Sequence, residues 1–309
     1  MAEQMPEIRT LTYAVHEVAE YINWIYFFHT WGYKPAFYSV TQVHDCVPCR
    51  EQWIAGFRGK EREQARSITV LYGEAQEMLR WLDHRFTVAA RFALFGAGSE
   101  GDDVVLQVGR RIPLLRQQTA REGEPYLCLS DFIRPLSSGI EDRIGVFVAT
   151  AGRELEESAA VYFPEDDYKQ LLVKTLAERL AEAATERMHL EVRRHYWGYA
   201  PEEQLSVHDL HLERFRGIRP AVGYPSLPDQ SVNFLLDGLI DFSSIGVRVT
   251  ENGAMYPHAT VSGLMLAHPA SRYFSVGPIG EDQLLDYARR RGLSPTELRR
   301  FLAANLSAV

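Results

Sequence analysis

Apolar residues recur with a helical period in some stretches of this chain and cluster into short runs in others. Over 167–195, Leu172, Leu176, Leu180 and Ala184 fall four apart on one stripe, which predicts a long amphipathic helix. Met78, Leu79 and Leu82 predict a shorter helix over 74–83. The run RIGVFVAT over 143–150 reads as a buried strand that ends near Gly152. Two further strands are predicted over 92–95 and 104–108, with Gly96-Ala-Gly98-Ser-Glu-Gly101 between them. That string has the form of a dinucleotide-binding loop, but such a loop needs a helix after its last glycine to aim N–H groups at phosphate. The residues that follow, Asp102-Asp103-Val104-Val105-Leu106, are strand-like, so the glycines predict a hairpin turn. Later segments predict strands over 245–251, 261–267 and 273–276. Ser206-Val-His-Asp209 can start a short helix, and 228–238 predicts another closed by Gly238. A helix over 282–291 ends at Gly292, and Ser294-Pro-Thr-Glu297 is a capping box with proline at the first helical position, opening a last helix that ends near Ala304. Helices and strands alternate irregularly, without a βαβ rhythm, which indicates an α+β fold.

Composition narrows the class. The 309 residues are 46% apolar and 24% charged, ordinary values for a globular chain. No repeat, low-complexity tract or flexible linker interrupts them, so one domain over 1–309 is expected. The balance of 33 basic and 41 acidic residues leaves a charge of −8, which argues against a nucleic-acid partner. The first ten residues lack a signal-peptide pattern, and no apolar run approaches bilayer length, so no membrane contact and a cytoplasmic location are expected. Three cysteines are present, Cys46, Cys49 and Cys128. Cys46-Val-Pro-Cys49, with His29 and His44 upstream, has the spacing of half a zinc site or of a redox pair. A structural zinc site takes four ligands and no second pair follows at useful spacing, nor is a thioredoxin-like context visible. No metal is therefore expected.

The most distinctive chemistry lies in Arg219-Pro-Ala-Val-Gly-Tyr224-Pro-Ser-Leu-Pro228. Pro220, Pro225 and Pro228 fix φ and rule out a helix interior. Gly223 lets another group approach the backbone. Arg219 brings a planar cation suited to a carboxylate, and Tyr224 a flat ring with a polar tip. Such a strip suits a small zwitterion carrying a ring, although a proline-stiffened surface loop has the same composition. On the 167–195 helix, Glu178 and Glu182 share one face beside the apolar stripe. Salt links to Lys174, Arg179 and Arg187 would account for them equally well.

The strip resembles the S-adenosylmethionine-binding Arg-Pro-Ala-x-Gly-Tyr-Pro segment of the activation domain of cobalamin-dependent methionine synthase. Further resemblance is carried by Tyr21-Ile-Asn-Trp24, Phe27-Phe28-His-Thr-Trp31, Leu115-Arg-Gln-Gln-Thr119, Cys128-Leu-Ser-Asp-Phe132 and Tyr196-Trp-Gly-Tyr-Ala-Pro201. After the strip come Val261-Ser-Gly263, His268-Pro269, Ser271-Arg-Tyr273 and Asp286-Tyr-Ala-Arg-Arg290. These run in family order from about residue 15 to the C-terminus, and the stretch 36–65 looks inserted relative to the family.

The resemblance implies a C-shaped domain with a twisted antiparallel sheet flanked by helices. It also implies a site for S-adenosylmethionine built from Asn23, Glu182, Arg219, Ala221, Gly223, Tyr224 and Tyr273. In that site Arg219 would bind the ligand carboxylate with two parallel hydrogen bonds, while Ala221 and Gly223 would offer backbone groups to the adenine. Tyr224 would sit near the corrin, and Glu178 would face the partner that carries it. Asn23 stands where the family has an Asp that pairs with the ligand ammonium; Asn can accept a hydrogen bond but brings no charge. The implied function is to present S-adenosylmethionine for reductive remethylation of cob(II)alamin, with flavodoxin or another reductant as electron source. No nucleophile for methyl transfer is visible, and the Asp-x-His-x-x-Gly corrinoid motif is absent from these residues. The expected partner is therefore a separate cobalamin-binding methionine synthase that lacks its own activation domain. Two other readings remain open: reactivation of a different corrinoid methyltransferase, and a non-catalytic binding protein of the same fold.

Overall fold

The computed structural model describes residues 5–306. Strand β1 (Arg9–Ala14) leads into α1 (Val15–Ala19), α2 (Trp24–Thr30), α3 (Val47–Ala55) and α4 (Gly59–Asp83). Strands β2 (Thr87–Glu100), β3 (Asp103–Leu106), β4 (Arg111–Pro113) and β5 (Asp142–Thr150) follow, then α5 (Arg153–Tyr162) and α6 (Asp167–Glu191). The last part holds α7 (Val207–His211), α8 (Val232–Ile240), the small pair β6 (Arg248–Val249) and β7 (Met255–Tyr256), β8 (Thr260–Met265), α9 (Glu281–Arg291) and α10 (Pro295–Phe301). The main sheet runs β4-β3-β2-β5-β8, and every pair is antiparallel. β1 pairs with the first half of β2, and β3 pairs with its second half. The sheet curls into a half-barrel, giving the expected α+β, C-shaped fold.

Alternation explains why β5 is apolar throughout. Phe147 and Ala149 point to one face and pack with Leu172, Leu176 and Leu180 of α6. Ile144, Val146 and Val148 point to the other and pack with Leu236 and Leu239 of α8. Both faces are covered, so no polar alternation survives in the sequence. Complete burial of a side chain such as Phe147 contributes about 1.5–3 kcal/mol. A third cluster, built on Leu284, Tyr287 and Leu298, packs α9 and α10 together.

The expected hairpin forms, with β2 and β3 antiparallel and Gly101 turning at φ +60°, but Gly96 and Gly98 lie inside β2, which runs on to Glu100, so only the end of the glycine string is the turn. Several bounds differ from expectation. α4 spans 25 residues, not ten, because Ala65, Ile68 and Leu71 continue the stripe of Ala75, Met78 and Leu82 past Gly73. α6 ends at Glu191 and passes into a π-helical turn over Val192–Tyr196. α8 starts at Val232 and runs through Gly238, closing at Asp241 with φ 52°. The segment 273–276 is not a strand of the sheet; it is held by isolated hydrogen bonds.

Candidate ligand site

The strip from Arg219 docks beside β8 as a short extra strand. Ile218 and Leu266 exchange both backbone hydrogen bonds at 2.9 Å, the Leu264 N–H donates to the Pro220 carbonyl at 3.0 Å, and the Val222 N–H donates to Ser262 at 2.9 Å. Ala221 lies opposite Gly263 between those bonds, so its own N–H and C=O face away from β8. The strip then turns: Gly223 adopts φ +88°, and its N–H donates to the Leu227 carbonyl at 2.8 Å. The Gly223 N–H is thus committed to the turn.

The segment carrying Tyr273 is clamped to this strip. Ser226 Oγ donates to the Phe274 carbonyl and accepts the Phe274 N–H, while the Val276 N–H donates to Pro225 at 2.9 Å. Gln117 holds the same segment from the other side through its side-chain amide on the Ser275 carbonyl, 2.8 Å away. The outcome is that the Tyr273 hydroxyl accepts the Arg219 backbone N–H at 3.1 Å. Tyr273 also lines a cavity of about 490 Å³ beside Gln117, Arg272 and Phe274. A second cavity, of about 860 Å³, is lined by residues such as Arg85, Thr150 and Glu157 and shares none of the expected site residues.

Helix α6 supplies a graded row of carboxylates. Glu178 is exposed, Glu182 is half-buried and Glu186 is buried, so successive turns descend from solvent to the floor of the cleft. Tyr224 donates its hydroxyl to Glu182 at 3.3 Å. The Glu182 charge, followed by burial, holds the Tyr224 phenol above its usual range. Glu186 Oε2 accepts from Arg219 Nη2 at 2.6 Å. That pairing, not expected from sequence, occupies one arm of the guanidinium. Arg219 Nη1 and Glu186 Oε1 are both buried and have no hydrogen-bond partner among the described residues. Phe215 lies under Arg219, 5.9 Å from the ring centre, and Glu213 stands nearby, its carboxyl raised by desolvation and by Glu186 against the pull of Arg219. Asn23 caps α2, its side-chain oxygen accepting the Ile25 N–H at 3.2 Å.

Arg219, Tyr273, Tyr224, Glu182 and the strip backbone are thus linked by direct contacts. No such contact ties Asn23 or Glu178 to Arg219 among the described residues. Glu186, Glu213 and Phe215 escaped the sequence reading. Glu186 carried a signal, four residues beyond Glu182 on the same face; Glu213 and Phe215 carried none.

Beneath the site, the π-helical turn buries Arg193, which grips Glu203 at 2.7 Å and stacks 4.2 Å over Phe215. Arg193 also meets His189 Nδ1 at 2.8 Å. Burial first, then the charges of Arg193 and Arg219, hold His189 neutral well below its ordinary value of 6.5. On acidification the unfolded chain takes up this proton and the folded one does not, so stability falls below about pH 6.5, by up to about 1.4 kcal/mol per pH unit. Between pH 6.5 and 5 the His189→Gln variant should lose about 2 kcal/mol less than the parent in urea denaturation. Equal losses in the two proteins would rule out His189 as the source.

The curled antiparallel sheet, its covering helices and the strip docked on β8 define a class: an α+β half-barrel domain. The chain belongs to the family of vitamin B12 dependent methionine synthase activation domains, whose model matches residues 14–292. It is also similar to a solved structure described as the MetH reactivation domain bound to AdoHcy, with 36% identity and a TM-score of 0.86. That likeness covers 99% of this chain and 92% of the other.

Proposed function

We propose that the protein binds S-adenosylmethionine in this cleft and presents its methyl group to the cobalamin of a methionine synthase, for reductive remethylation of cob(II)alamin to methylcobalamin. The observation that carries the reading is the buried Nη1 of Arg219, which has no partner among the described residues. A buried cationic donor left unpaired is costly, and a ligand carboxylate would satisfy it. The relative bound to AdoHcy supports the same ligand class, since AdoHcy is what the donor becomes on losing its methyl group.

In this proposal Arg219 holds the carboxylate through Nη1, with Nη2 kept by Glu186. The outward edge at Ala221 and the turn at Gly223 frame the adenine, and Tyr273 and Tyr224 enclose the ligand. Asn23 and Glu182 face its cationic end. Tyr224 and the exposed Glu178 lie toward the partner. The chain's own part is to bind and orient, which removes the entropy of bringing donor and acceptor together. The corrinoid of a methionine synthase cobalamin-binding module would supply the methyl acceptor, with flavodoxin or another reductant giving the electron.

The test mixes this protein with a cob(II)alamin-loaded methionine synthase fragment lacking an activation domain, a reductant and S-adenosylmethionine. The methylcobalamin spectrum should develop only when all are present. No spectral change with this fragment, but conversion of another corrinoid methyltransferase, would overturn the assignment of partner.

Asn23 gives a finer check. Asp caps a helix as well as Asn does, so Asn23→Asp leaves α2 intact while adding a charge. A charge-assisted hydrogen bond is stronger than a neutral one by about 1 kcal/mol, so S-adenosylmethionine should bind about fivefold more tightly in calorimetry. Unchanged affinity would place the ligand ammonium elsewhere.

A further inference from the structure

The segment 36–65 brings two thiols and an imidazole together. His44, Cys46 and Cys49 each offer a ligand atom, and these atoms lie within 4.8 Å of one another. The loop that carries them is anchored on both sides. Phe37, Val40 and Ile54 are buried in the main core. The Phe37 and Phe57 rings meet at 5.1 Å, and Trp53 donates its indole N–H to Ser39 at 3.1 Å.

Local geometry prepares each donor. Cys46 caps α3, and its sulfur accepts the Cys49 N–H at 3.4 Å, an interaction that favours thiolate. The Cys46 N–H donates to His44 Nδ1 at 3.3 Å, so that nitrogen is unprotonated, and a metal ion would take its lone pair by displacing this long hydrogen bond. Neither cysteine is in a disulfide and neither is fully buried. In a tetrahedral zinc site the donors stand roughly 3.5–3.8 Å apart, so a small side-chain adjustment closes the set.

We propose that His44, Cys46 and Cys49 form an open, three-ligand site for one thiophilic divalent ion of the zinc class, with its fourth position left to water or a ligand. No fourth protein ligand stands at useful spacing, which is why no metal was expected; three are enough for an open site. A histidine beside the pair would also stabilise the thiolate of a redox dithiol, so what separates the two readings is whether the reduced protein binds a metal ion.

The test titrates the reduced, full chain with Co²⁺. Thiolate-to-metal charge-transfer and tetrahedral ligand-field bands should saturate at one equivalent and vanish on adding one equivalent of Zn²⁺. Cys46→Ser and Cys49→Ser should each abolish the charge-transfer band or weaken binding by about a hundredfold or more, and His44→Ala should weaken it by at least about tenfold. Cys128→Ser, a change at a buried thiol outside the cluster, should keep the bands. Retained AdoHcy binding in the Cys46→Ser/Cys49→Ser double variant checks that the fold is intact. Reduced protein that shows no thiolate–metal band overturns the proposal, whether its thiols stay free or close to a disulfide on oxidation.

Discussion

Arg219→Met should abolish measurable AdoHcy binding and destabilise the fold at the same time. The two effects have separable causes. Arg219 and Glu186 are an ion pair at 2.6 Å whose side chains are 16% and 6% exposed. Removing the cation leaves the Glu186 carboxylate buried and unpaired, which costs about 3–5 kcal/mol. In the proposed pose the ligand would lose its carboxylate partner as well, a truncation that costs about 2–5 kcal/mol of affinity, or roughly thirtyfold to several thousandfold. A second variant distinguishes them. Glu186→Gln combined with Arg219→Met removes the stranded charge, so urea denaturation should return part of the lost stability. Calorimetry with AdoHcy should still show no binding. If the double variant binds as the parent does, Arg219 is a structural cation and the carboxylate has another anchor. If Glu186→Gln alone tightens binding, Glu186 competes with the ligand for the guanidinium.

The local shape of the Arg219 strip was legible in the chain because it follows from backbone constraints. Three prolines and Gly223 announce an extended strip with a turn, and the structure shows that strip and that turn. Glu182 sat on a helix face that could be drawn from spacing alone. What stayed hidden was tertiary. The pairing of the strip with β8 depends on Gly263, forty-odd residues later, offering a flat backbone surface. Tyr273 was expected in a strand, but its extended backbone is held by Ser226 and Gln117, not by a ladder. Glu186 was hidden by the ambiguity of helical carboxylates, since an i, i+4 glutamate usually meets solvent or a lysine. Its burial goes with the ion pair it makes with Arg219 of the strip, a tertiary contact that no periodicity reports. α4 was read short because a charged first half and Gly73 dilute a stripe that tertiary packing still uses.

Gly263→Ala should be the most damaging small substitution in the site. A Cβ at this position would lie 2.2 Å from the Pro220 carbonyl oxygen, 2.9 Å from Ala221 Cα and 3.0 Å from the Phe147 ring. Two of those neighbours are backbone and the third is fully buried, so none can swing aside. The strip must lift off β8, which breaks the Leu264–Pro220 and Val222–Ser262 hydrogen bonds. Two lost bonds at about 1 kcal/mol each and overpacking of about 1–3 kcal/mol give an expected loss of about 3–5 kcal/mol in urea denaturation. Arg219 and Tyr224 ride on the same strip, and a displacement of about 1 Å is enough to cost roughly a hundredfold in catalysis. Methylcobalamin formation in the reconstituted assay should fall by at least that factor. Gly73→Ala supplies the contrast: Gly73 is half-buried inside α4, and nothing lies within 4 Å of its added methyl. There alanine should raise stability by about 1 kcal/mol through helix propensity. Were Gly263→Ala to match Gly73→Ala in stability and in methylcobalamin yield, the close docking of the strip on β8 could not be what positions Arg219.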